Sequence, residues 1–400
     1  MKFSKKVKSL VYGIDFTHGM RRALVSALIL IYFLSLGFNV VAVTTLFAVS
    51  TLIMTFFEFP TGAVADYDSR KKSLMISYFL IFVSFLGIFL FTKFWFLAFF
   101  WILGDIGWTF SSGAQFAWAI DALGYARKKS KLVKLISESF IFEKSGHVIG
   151  GFIGFIIVAI NFRFIWLLIA LSYLFLFFIS WRYMEERNFK PSKVPHNYLV
   201  KSLIKAKESF VYLIHKDNRE LRALMLGGII STITISAFFV CAPLLLTIVY
   251  GLGPEYVPGL YAVLGILAIV GPLIGRKVVH HRGFKSGLVI FFGIMGISII
   301  SMAYFNSLIL AIVFLAVLLV VLAATDVVED SALHHEFDSK IRASLGSLNS
   351  INWAIAHSVG VFLTGIGIST IGVINTLFVN GGLAFLTAIA FLIGLKNHTE

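Results

Sequence analysis

Apolar runs of roughly twenty residues recur along the whole chain, separated by short polar or glycine-containing breaks. A helix of that length spans the roughly 30 Å hydrocarbon core of a bilayer at about 1.5 Å per residue. The pattern predicts helices over residues 11–37, 40–64, 73–92, 94–120, 132–160, 162–182, 220–250, 255–277, 284–305, 308–333, 341–367 and 370–395. Backbone polar groups in hydrocarbon need internal partners, so these runs imply an all-α membrane protein. The longest polar stretch divides the helices six and six. The chain therefore reads as an N-terminal half over 1–182, a basic linker over 183–219 and a C-terminal half over 220–400. Within the linker, Tyr198 to His215 is expected to form an amphipathic helix on anionic lipid.

Composition agrees with this pattern. Of the 400 residues 58% are hydrophobic, above the roughly 45–50% of soluble domains. A net charge of +14 would suggest nucleic acid as partner of a soluble chain. Here the cations occupy alternate short loops: Lys2 to Lys8, Arg70 to Lys72, Arg127 to Lys134, the linker, Arg276 to Lys285, and Lys340 with Arg342. The opposite loops carry only Lys93 and Arg163. By the positive-inside rule both termini are expected in the cytoplasm, in a multi-pass protein of the plasma (inner) membrane, with no nucleic-acid partner. Residues Met1 to Lys8 are basic without a cleavage pattern, so the first helix is expected to act as its own insertion signal. Cys241 is the single cysteine and leaves no disulfide or thiolate pair.

Ionisable residues within the spans are the candidates for chemistry, because each needs a partner, a wet cavity or a role. Asp105 sits mid-span among Gly104, Gly107, Ser111 and Ser112 and suits a proton-carrying carboxylate. Glu143 and His147 lie one turn apart, as a proton relay requires. Asp326 reads as a deeper second proton site, with Glu329 and Asp330 near enough to the loop to pair with Arg276, Lys277 or Arg282. Asp15, His18 and Arg22 share one helical face. Arg21 and Arg22 bind an anionic group if the first helix starts near Val11, and are interfacial if it starts at Ala23. Asn349, Asn352, Trp353 and His357 make a polar stripe, while Trp101, Trp108, Phe110, Phe116 and Trp118 suggest an aromatic cavity. His334, His335 and Glu336 lack metal-site spacing and are expected in a loop; no phosphate-binding G-x-x-x-x-G-K-[ST] occurs, so no cofactor or ATP site is expected.

Between the second and third runs, Gly62, Asp66, Arg70 and Lys71 fall in the order G-x-x-x-D-x-x-x-R-K. This resembles motif A of the major facilitator superfamily of membrane transporters, with Tyr67 and Ser69 at positions where a basic residue and glycine are common. A related basic turn, Gly275 to Lys285, and the pair His147 to Gly150 and His357 to Gly360 recur at a shift of about 210 residues, as parallel repeats do. Gly146 to Gly151 is similar to the helix 5 signature of the family's antiporters, with His147 in place of proline. The resemblance implies a non-enzymatic secondary transporter of two six-helix halves, probing its substrate by alternating access. It further implies a gate built by Gly62, Asp66, Arg70, Lys71 and Asp121 at the cytoplasmic end. The expected activity is proton-coupled efflux of a lipophilic or amphipathic small molecule by a monomer, closest to the bacterial efflux-type branch. The alternatives are a proton-linked importer of a polar or anionic solute and a lipid flippase. Sodium, which needs only oxygen ligands, stays open as coupling ion. Arg21, Arg22, Trp108, Asn349, Asn352 and His357 are the substrate-binding candidates; Asp105, Glu143, His147 and Asp326 are the coupling candidates.

Overall fold

The computed structural model describes residues 2–125, 129–189, 212–213, 218–337 and 342–396. Most of the expected linker, with most of its amphipathic segment, lies outside these residues, as does Lys340. The described chain is helical, in the order α1 (Lys2–Ser35), α2 (Val40–Ala63), α3 (Arg70–Leu90), α4 (Phe94–Thr109), α5 (Ala114–Leu123), α6 (Lys129–Ile160), α7 (Phe164–Tyr183), α8 (Arg219–Leu244), α9 (Tyr256–Ala268), α10 (Gly271–Tyr304), α11 (Leu308–Glu336) and α12 (Arg342–Gly394).

Among the described residues, nine helical runs are long and apolar enough to cross a membrane. Two of them, Tyr256–Tyr304 and Leu345–Gly394, are 49 and 50 residues long, more than twice what one crossing needs. Each is interrupted by a glycine with positive φ, Gly283 at 74° and Gly372 at 81°. A side chain would strain that conformation, so glycine lets the chain reverse there in a single residue. Taking each long run as two crossings and adding α1 gives the twelve expected from the apolar pattern. His334, His335 and Glu336 close the last turn of α11 and are not in a loop. Leu333 and Phe337 are buried on either side of them, and that apolar spacing carries the helix one turn further than the polar run suggests.

Two compact units result. The first comprises Met1–Phe38, Ser50–Leu199 and Pro254–Ala262; the second comprises Asn39–Val49, Val200–Gly253 and Val263–Glu400. In the first, α1 packs along α6, and α3 packs against α4 and α7. The α1–α6 seam is made of glycines: Gly19 lies on the Glu143 backbone, Gly146 on Phe16 and Gly150 on Met20. Helices in lipid gain little from hydrophobic burial against one another, so close backbone approach through small residues is what holds such a seam. Gly151, the last residue of the antiporter-like signature, meets Ala262 and the Pro258 carbonyl, and Gly154 beyond it meets the side chains of Leu24 and Pro258. In the second unit α8 packs on α12 and α10 on α11, where Gly271 and Gly275 sit against the backbone of Val320 and Ala324.

This seam makes a prediction. Gly146→Leu drives a side chain into the Phe16 backbone and lowers the melting temperature of the purified protein by at least several degrees. Gly293→Leu, whose added Cβ meets nothing within 4 Å, leaves it unchanged. Melting of both variants in one detergent is the check.

Candidate functional site

Because α1 is continuous from Lys2 to Ser35, Arg21 and Arg22 lie well inside it. Consecutive helical residues point about 100° apart, and the two arginines part company. Arg22 is 54% exposed and its guanidinium pairs with Glu143 at 2.5 Å. Arg21 turns inward and is half-buried, 4.8 Å from the Trp108 ring and 5.8 Å from that of Phe85. Among the described residues no carboxylate lies within 4.0 Å of Arg21. Asp105 accepts a hydrogen bond from Ser50 at 2.5 Å and is near enough to Arg21 to feel its charge.

Behind Arg21 stand three buried rings. His18 stacks on Tyr173 at 5.9 Å and meets Trp108 edge-on at 4.9 Å, while Tyr78 lies 6.1 Å from Tyr173. His18 Nε2, Arg21 Nε and the hydroxyls of Tyr78 and Tyr173 are all buried without a hydrogen-bond partner among the described residues. Unsatisfied buried polar atoms are costly and uncommon, so four in one cluster mark a place where water or a ligand completes the bonding. The predicted Asp15–His18–Arg22 face is thereby divided. Asp15 is consumed by hydrogen bonds from Gln115 (2.6 Å) and Ser139, which tie α1 to α5 and α6.

The second unit holds a cavity of about 410 Å³ that gathers Asn349, Asn352, Trp353 and His357 of α12 with Asp326, Glu329 and Asp330 of α11 and Ser231 and Ser236 of α8. Residues 349, 352, 353 and 357 fall on one face at helical spacing, which is why the polar stripe reaches the cavity intact. Ser231 donates to Glu329 at 3.1 Å, Ser236 Oγ lies 2.7 Å from His357 Nδ1, and Trp353 stacks on His357 at 5.0 Å.

Several expected arrangements do not form. Glu143 is held by Arg22, and no hydrogen bond joins it to His147 among the described residues, so the relay is not assembled. Asp326 is exposed and lines the cavity of the second unit together with Glu329, which is half-buried against Gly228 and Ser231. Glu329 and Asp330 make no ion pair with Arg276, Lys277 or Arg282 among the described residues. The aromatics expected on one helix fall on two, Trp101 and Trp108 on α4 and Phe116 and Trp118 on α5. Trp108 is engaged by Arg21 and His18, and Trp118 is buried with its Nε1 donating to the Glu185 carbonyl at 2.9 Å.

The motif loop is a charged knot at one end of the first unit. Pro60 falls near the end of α2, which relaxes into a π-turn over Val64–Asp68. Ser69 then caps α3, its hydroxyl accepting from the Lys72 amide at 3.0 Å. Arg70 is ion-paired with Asp121 and donates to the Ala117 carbonyl at 2.7 Å. Lys71 Nζ donates to the Trp181 carbonyl at 2.9 Å, while Glu186 accepts from the Lys71 amide and Ser69. Beyond α7, hydrogen bonds from Arg187 and Lys6 hold the Glu185 carboxyl below its usual range. Asp66 is exposed and joins neither Arg70 nor Asp121 among the described residues; Asp68, two positions on, pairs with Lys72 at 2.6 Å. The π-turn explains the miss, since its wider winding rotates Asp66 off the face that an α-helix would give it. Gly62 meets nothing within 4 Å and provides no close approach.

The profile of the Major Facilitator Superfamily matches residues 12–336. The chain belongs to that superfamily. It is therefore a multi-pass, non-enzymatic secondary transporter of a small solute. No curated protein sequence matches it. Solved structures share its fold over nearly the whole chain at low identity. The nucleoside transporter NupG (D323A mutant) aligns with TM-score 0.82 and 12% identity over 98% of this chain and all of its own (100%). A POT family transporter in complex with 5-aminolevulinic acid gives 0.76 and 15% over 98% and 95%. A bacterial homologue of the human lysosomal transporter Spinster gives 0.76 and 13% over 98% and 97%.

Within this transporter, Tyr78, Tyr173, Ser50, Ser231 and Ser236 escaped the sequence reading because a lone hydroxyl in an apolar helix costs little to overlook. Tyr78 and Tyr173 carried a signal nonetheless, as tyrosines where phenylalanine would satisfy the pattern. The half-buried Arg70–Asp121 pair gives a second prediction. Arg70→Ala and Asp121→Ala each destabilise the protein, and the double variant costs less than their sum by about 1–3 kcal/mol. Unfolding of the four proteins in one detergent measures that coupling.

Proposed function

We propose that this superfamily member carries a small polar solute bearing an anionic group, coupled to protons, with Arg21 as the anchor for the anion. The observation that supports this most is the half-buried guanidinium of Arg21, which has no carboxylate partner among the described residues although Arg22 beside it has one. A cation in that position is expensive unless a counter-charge arrives. A carboxylate or phosphate of the solute supplies it, and Arg presents a fork suited to either. His18, Tyr78 and Tyr173 stand behind it with unfilled hydrogen bonds, ready to order water around the bound solute.

Coupling then follows from charge balance in the first unit. In this reading Asp105, which accepts from Ser50, is ionised while the site is empty and partly neutralises Arg21. A bound anion takes over the guanidinium, and a proton on Asp105 restores neutrality. Anion and proton therefore travel together, which favours symport. Glu329, with Ser231, and His357, with Ser236, are the second proton site, a role the sequence assigned to Asp326. Trp108 stands against Arg21 and Trp118 donates to the Glu185 carbonyl, and on these contacts the anionic solute is preferred here to efflux of a lipophilic molecule. The arrangement of cations supports both termini in the cytoplasm of a cell bounded by this membrane. Arg70 and Asp121 are the gate pair.

Uptake into proteoliposomes under an imposed pH gradient, over a panel of anionic, neutral and cationic solutes, tests this. An anionic solute is accumulated; Arg21→Gln reduces its uptake at least tenfold, and Arg22→Gln does so by less. Asp105→Asn abolishes accumulation driven by the pH gradient while solute exchange persists. Accumulation of a cationic or neutral lipophile that Arg21→Gln leaves intact would overturn the proposal.

A further inference from the structure

A cavity of about 1130 Å³, separate from both clusters above, lies wholly in the second unit. It sits where helices end. Glu220 opens α8, Lys396 follows α12, His335 and Glu336 close α11, and the turn at Gly283 reverses α10 beside it. Gly271 and Gly275 draw the first part of α10 onto α11 below this mouth, and the positive φ of Gly283 carries Phe284 and Lys285 back across it. The wall is therefore two-natured. Leu224, Leu273, Phe284 and Val327 make it apolar toward the helix interiors. Arg276, Lys277, Lys285 and Lys396 bring four full cations to the rim, against the two carboxylates Glu220 and Glu336.

Those carboxylates are already engaged. Glu220 faces Lys396 at 3.6 Å and Glu336 faces His335 at 3.1 Å. Arg276, Lys277 and Lys285 have no carboxylate within 4.0 Å among the described residues. Three converging cations without counter-charge above an apolar recess have the form of a headgroup site. Phosphate matches the guanidinium fork and the two ammonium groups, and the apolar walls accept the chain of an amphiphile. A soluble anion would leave those walls wet.

We propose that this cavity binds a phosphate-bearing anion, the phosphate of an anionic phospholipid with the upper part of its acyl chain in the recess. The ligand would tie the ends of α8, α10, α11 and α12 together, so that the transporter is more stable in anionic than in zwitterionic lipid.

Native mass spectrometry of the purified full chain, titrated in parallel with phosphatidylglycerol and phosphatidylcholine, tests the proposal, with melting in inorganic phosphate as the soluble arm. Wild type retains phosphatidylglycerol at least tenfold more than phosphatidylcholine. The variant R276Q/K277Q/K285Q brings retention down to the phosphatidylcholine level. K93Q/K131Q/K134Q, which removes the same charge elsewhere, keeps the preference. Saturable stabilisation by inorganic phosphate, lost in the first variant and without lipid preference, would confirm the phosphate site and assign it a soluble source. A first variant that keeps the full lipid preference overturns the proposal. So does a wild type that neither prefers phosphatidylglycerol nor responds to phosphate, a result that needs no variant to fold.

Discussion

A half-buried guanidinium without a carboxylate partner among the described residues is the constraint on which the proposed account of this transporter turns. Moving a charged side chain into the middle of a bilayer costs at least about 2.5–3.5 kcal/mol, so every embedded ion is partnered or waits for a partner. Most of the described ions are partnered: Arg22 by Glu143, Asp15 by Gln115 and Ser139, Asp105 by Ser50 and Glu329 by Ser231. Arg21 has rings where its neighbour has a carboxylate. Trp108 and Phe85 lend their π-faces to the guanidinium, which softens its burial without neutralising it. That leaves a definite amount of electrostatic work for a solute to do.

Backbone contact provides the rigidity that keeps such a site open. Glycines 19, 146 and 150 set α1 and α6 backbone to backbone, and the same two helices carry Arg21, Arg22 and Glu143. Packing and electrostatics are therefore not separable here. If α6 shifted by a side chain's width, Glu143 would be free to leave Arg22, and the distinction between the two arginines would be lost. In the second unit Gly228 plays a local version of this part, giving Glu329 room beside Ser231.

Much of the fold was legible because bilayer thickness converts run length directly into helix count. The crossings, the break at Gly283 and the motif loop could be placed from apolar runs, glycine and charge, whereas the last break, expected at 368–369, falls at Gly372. The polar stripe of α12 was legible too, because a regular helix keeps i, i+3, i+4 and i+8 on one side. What escaped was everything that depends on rotation about a helix axis. Arg21 and Arg22 are neighbours in sequence and differ only in the direction they face. Asp66 was displaced by a π-turn, and Glu329 is held by a hydroxyl that α8 brings to it. Partners on other helices decide such matters, and run length carries no information about them.

The proposed coupling of Arg21 to Asp105 can be tested directly, without transport. Purified protein in weakly buffered detergent with a pH-sensitive dye reports protons taken up when a solute binds. If an anion displaces Asp105 from the field of Arg21, binding of an anionic solute draws about one proton from solution at neutral pH, and Asp105→Asn abolishes the uptake while binding persists. Binding of that solute with no proton uptake, or uptake unchanged in Asp105→Asn, would contradict the account.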